Sequence, residues 1–100
     1  MTITKTFENG TATFALEGWL DTAASPELGA EIDALTEASA IILDFANVEY
    51  MASAGLRQII ATHKKAVSLN AKFSVINVSP EVMDIFKMTK INEKLDIQAK

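Results

Sequence analysis

The chain has 100 residues, 49% of them apolar, a formal net charge of −4 and no cysteine. That length supports one hydrophobic core and not two, so residues 1–100 are read as a single domain. The acidic balance argues against nucleic acid or anionic membrane as partners, since both need a basic patch, and the missing cysteine excludes disulfides, thiol catalysis and thiolate metal sites.

The first segment alternates. Ile3, Lys5 and Phe7 share one face, and Thr2, Thr4 and Thr6 share the other. After Asn9-Gly10 the alternation resumes with Ala12, Phe14 and Leu16. Two β-prone runs around Asn-Gly predict an antiparallel hairpin, because a tight primed turn needs positive φ and those residues tolerate it. No apolar signal region follows Met1 and no apolar run reaches membrane-spanning length, so a cytoplasmic location is expected.

Gly18-Trp19-Leu20-Asp21 breaks the alternation, and Ser25-Pro26-Glu27 then predicts a helix start with Ser25 as its cap. Leu28, Ile32 and Leu35 recur at helical spacing, and this helix is expected to run out near Ala38-Ser39. Ile41, Ile42, Leu43 and Phe45 predict a short strand covered on both faces, and residues 46–50 a turn. Leu56, Ile59, Ile60, His63 and Val67 predict a second helix, stopped at Asn70. Phe73, Val75, Ile76 and Val78 predict another strand. Ser79-Pro80-Glu81 starts a third helix through Val82, Ile85 and Phe86, and Leu95 to Ala99 is expected to add an edge strand. Hairpin, helix, strand, helix, strand, helix, strand is an α/β order, which predicts a mixed, mainly parallel sheet of four to five strands covered by helices.

Enzymatic chemistry finds little support in the residue pattern. Ser53 and the lone His63 lie ten residues apart on one predicted helix, about 15 Å along its axis, too far for a nucleophile and its base. Ala52-Ser53-Ala54-Gly55 also lacks the first glycine of a nucleophile elbow. One histidine and scattered carboxylates offer no metal-ligand spacing, so His63 is expected to be a packed or half-exposed side chain. No glycine-rich phosphate loop is present, and no cofactor or small-molecule substrate is expected. Asp44 lies inside its strand without a matching lysine, unlike the acid of a phospho-receiver.

The segment around Ser53 remains. A serine between a strand and a helix is expected to be an N-cap, its oxygen accepting a first-turn N–H. The same free N–H groups and the helix dipole favour an anion, so Ser53 is also a candidate phosphoacceptor, with small flanks that let a partner approach. Trp19 and Tyr50 are expected near the same end of the sheet, either as interface anchors or as core. Met83 and Met88 are expected to fill gaps in the core.

The sequence also resembles a family. Leu16-Glu17-Gly18-Trp19-Leu20-Asp21 resembles the L-x-G-x-L-D signature of STAS domains (sulphate transporter and anti-sigma factor antagonist). Leu43-Asp44-Phe45 and Val48 through Leu56 resemble the second signature, where a strand leads into a D-S-[ST]-G-L turn that opens a helix. Val75 to Val82, with Ile85 and Phe86, match the strand and helix that follow. The resemblance implies a non-enzymatic anti-sigma factor antagonist, which binds an anti-sigma factor that is also a serine kinase and is inactivated by phosphorylation. It carries the phosphoacceptor to Ser53 and partner-binding positions to Asp21, Ala52, Ala54 and Gly55. Ala52 stands where the family usually has aspartate, and Ala54 where it has serine or threonine. These departures keep a second reading open, a constitutive STAS adaptor in a signalling or lipid-transport complex with Ser53 only a helix cap.

Overall fold

The computed structural model describes all 100 residues. Strands β1 (Thr2–Glu8) and β2 (Thr11–Leu20) form the hairpin, and α1 (Ser25–Asp33) leads to β3 (Ala40–Met51). Next come α2 (Ser53–Ser68), β4 (Lys72–Val78), α3 (Pro80–Met88), a 3₁₀ turn (Ile91–Glu93) and β5 (Asp96–Ala99). At the hairpin turn, Asn9 and Gly10 both take positive φ, 51° and 81°, as a primed turn requires.

The five strands lie in sequence order, β1 antiparallel to β2 and every later neighbour parallel. A parallel neighbour is reached by a right-handed crossover. Here each crossover steps the same way across the sheet, so all three helices fall on one face. The register agrees with this arrangement. Phe14, Leu43 and Val75 stand side by side on that face and are fully buried. Leu28 and Ile32 of α1, Ile59 and Ala66 of α2, and Val82 and Phe86 of α3 complete one core with them.

The opposite face carries Thr13, Ala15, Ile42, Asp44, Ser74 and Ile76, all half-buried. β3 is therefore covered on one face, not on both. The apolar run around Ile42 reflects lateral packing against β2 and β4. Asp44 fits such a face, its Oδ1 accepting from Ala46 N and from Asn77 Nδ2, each at 3.0 Å, which ties β3 to β4.

Three further expectations are corrected. Residues 46–50 form no turn, because β3 continues alongside β2 through Asn47, Val48, Tyr50 and Met51, with two register shifts absorbing the extra residues. α1 ends at Asp33 with Ala34 as C-cap, well short of Ala38, although Leu35 beyond it is still buried. Met83 packs in the core, but Met88 is 82% exposed and fills no gap. Two helix-end signals hold. Asn70 stands just past α2 at φ 56°, and Ser79 caps α3 by accepting from Val82 N.

Candidate functional site

The turn from β3 into α2 lies at the carboxyl end of the parallel strands, where α/β sheets commonly carry their sites. Ala52 is extended, with φ −90° and ψ 173°, and takes the N-cap position. Its carbonyl accepts from Gly55 N at 2.9 Å and Leu56 N at 3.2 Å. Having no side-chain oxygen, Ala52 leaves the N–H groups of Ser53 and Ala54 to solvent or to a ligand. Ser53 is the first helical residue and is exposed. It is not the cap that a serine at this boundary suggests. The strand ends at Met51 and the helix opens at Ser53, so Ala52 alone lies between them and takes the capping position.

The first signature closes on the same turn. Ala52 N donates to Leu20 O at 3.0 Å, which joins the end of β2 to the start of α2. Gly55 sits directly beneath, where a Cβ would stand 2.7 Å from Leu20 O and 2.8 Å from Met51 Cγ. Gly55 is buried for this reason, and its φ is not in the left-handed region. Asp21, the next residue along, is half-buried and organises the start of α1. Its Oδ1 accepts from Ala24 N at 2.9 Å, and its carbonyl accepts from Ser25 N at 3.0 Å and Ser25 Oγ at 2.7 Å. Ser25 is consequently no N-cap. Ala24 holds that position, and the Ser25 hydroxyl is buried as a donor.

The structure thus brings Asp21, Ala52, Ser53, Ala54 and Gly55 together at one corner, with Ala52 and Ala54 half-buried around the exposed Ser53. Trp19 and Tyr50 flank this corner as register partners. Their ring centroids are 5.4 Å apart and they are 57% and 48% exposed, so neither belongs to the core. His63 is half-buried beside Phe73, its ring 6.2 Å away, and no group of three potential ligands is placed to hold a metal. Ser53 and His63 stay nearly three helical turns apart.

Two features of the corner escape the sequence pattern. One is the Leu20 carbonyl, a main-chain group that no motif names. The other is a groove along the outer side of α2, whose far wall is built by the 3₁₀ turn thirty-odd residues later. The one available hint was Ile60, since of the adjacent pair Ile59 and Ile60 only one can face the core.

The STAS domain family model matches residues 2–100. The chain belongs to the STAS domain family. Solved structures agree in architecture. An anti-sigma factor antagonist from Mycobacterium paratuberculosis superposes with a TM-score of 0.87 at 22% identity, over 99% of this chain and 86% of that one. The phosphorylated form of the Bacillus cell fate determinant SpoIIAA gives 0.77 at 18% identity, over 96% and 90%. A sulfate transporter family protein from Wolinella succinogenes gives 0.82 at 14% identity, over 94% and 80%. At such identities the likeness is one of fold. No curated protein matches the chain in sequence. No helix is long and apolar enough to cross a membrane.

Proposed function

We propose that this chain is a protein-binding switch of the anti-sigma factor antagonist kind, engaged by an anti-sigma factor with serine-kinase activity and turned off by phosphorylation of Ser53. The observation that carries this reading is the state of Ser53: exposed, uninvolved in capping, and set where its own N–H and that of Ala54 have no acceptor within the helix. The phosphorylated SpoIIAA structure, of the same fold, is consistent with it. The partner would meet the corner of Ser53, Ala52 and Ala54 between the Asp21 loop and the exposed Trp19–Tyr50 pair, aromatics of the kind that anchor interfaces. Gly55 contributes through the shape of the turn. The domain works in the cytoplasm by binding, without catalysis of its own.

The switch is electrostatic. A phosphate adds about −1.5 to −2 charges at the centre of the contact surface. The helix terminus favours it by about 0.3–1 kcal/mol, whereas burying it unpaired against a surface made for a hydroxyl costs several kcal/mol. The second effect wins, and each ~1.4 kcal/mol is a tenfold loss of affinity.

Incubation with ATP and the kinase that co-purifies with the protein, followed by mass-spectrometric mapping, tests this reading. Phosphate on Ser53 is expected. Phosphate elsewhere, or none, overturns it. The second reading is a constitutive adaptor, favoured by Ala52 and Ala54 and by the transporter-family likeness. It predicts a transporter subunit or sensor scaffold as the co-purifying protein.

A further inference from the structure

A groove of about 580 Å³ runs along the outer side of α2 from Ser53 to His63, within the roughly 300–1,000 Å³ typical of small-molecule sites. Leu56 and Ile60 line it from α2, and Ile91 and Leu95 from the 3₁₀ turn and the residues after it. Ile91 is buried and forms the floor, while Ile60 is 39% exposed on the rim. All four apolar side chains are aliphatic, and His63 is the one aromatic ring in the lining. At 1.5 Å per residue, the stretch of helix from Ser53 to His63 is about 15 Å long, which suits an extended alkyl chain.

Charge gives the groove a polarity. Its charged side chains are Arg57 and Lys94, on opposite walls, and no carboxylate lines it, in a chain whose net charge is −4. Both cations are exposed, and neither is paired with an acid of its own chain. Ser53 and Thr89 add hydroxyls at the margins. An aliphatic trough flanked by two cations is complementary to an anionic head group on an alkyl chain, of which a single-chain carboxylate is the simplest.

We infer that this groove binds a single-chain fatty carboxylate, with the alkyl chain between Ile60 and Leu95 and the carboxylate held by Arg57 and Lys94. The site needs neither a protein partner nor modification of Ser53, so it stands apart from the switch. It does share the Ser53 end of α2, and a bound carboxylate would lie one helical turn from that hydroxyl.

Dodecanoate, titrated below its micellar concentration into the full chain labelled with ¹⁵N, tests the inference by amide chemical shifts. Saturable shifts are expected at Leu56, Arg57, Ile60, Ile91, Lys94 and Leu95. Dodecyltrimethylammonium, with the same chain and the opposite charge, should leave them unmoved. Arg57→Gln with Lys94→Gln should weaken dodecanoate binding by about tenfold or more, since charge-assisted hydrogen bonds are lost at two surface positions that do not hold the fold together. Ile60→Asn should do the same from the apolar side. Absence of saturable shifts, equal binding of the cationic amphiphile, or unchanged affinity in these variants overturns the inference. So do shifts of the same amides with protein concentration alone, which would make a second copy the occupant.

Discussion

Gly55 and Ser53 sit two residues apart and face opposite demands. Gly55 is fixed by packing, because a Cβ there meets a main-chain oxygen and not the end of a flexible side chain. Gly55→Ala is therefore expected to cost about 1–3 kcal/mol, read as a lower urea midpoint at constant m value. Ser53 carries no such constraint. Ser53→Asp places an acid in a first turn that has none, which is worth about 0.3–1 kcal/mol. Its melting temperature should stay level or rise by a few degrees. Asp21 stands between these cases. Its carboxylate oxygen holds Ala24 N, so Asp21→Ala should cost about 1 kcal/mol, as loss of a capping oxygen does. Asp21→Asn keeps that acceptor and isolates the effect of the charge on partner binding.

The elements divide by what determines each of them. The hairpin was legible because Asn9-Gly10 imposes its own geometry, and the start of α3 because Ser79-Pro80 carries both a cap and a pre-set φ. Ser25-Pro26 looks the same in sequence, yet its serine is no cap, since Asp21 four residues earlier already holds the turn. Thermal melts should separate the two. Ser79→Ala loses the oxygen that accepts from Val82 N and should cost about 0.5–2 kcal/mol as a cap, while Ser25→Ala removes a buried donor and strands no N–H of the helix. The full length of β3 was not legible, because residues 46–50 have weak strand character and are held by pairing with β2. With β3 ending at Met51 and α2 opening at Ser53, Ala52 is the single residue between them and takes the cap. The exposed aromatic pair was open to either reading in sequence for a similar reason, as the bulges in β2 and β3 set which way Trp19 and Tyr50 face.

At the scale of the molecule, a sheet wound in one direction puts every helix on one side and gathers the carboxyl ends of the parallel strands at one rim. The signatures that resemble the family meet at that rim because Leu20 and Ala52 are hydrogen-bonded across it. Under the proposed switch, a phosphate added to the exposed Ser53 would change what can dock at that rim without disturbing the core. The most direct test is calorimetry of the co-purifying partner protein against the wild-type chain and Ser53→Asp, with the melting temperature of each recorded alongside. A loss of affinity of about tenfold or more, with no fall in melting temperature, is the predicted result. Equal affinity for the two proteins would contradict it.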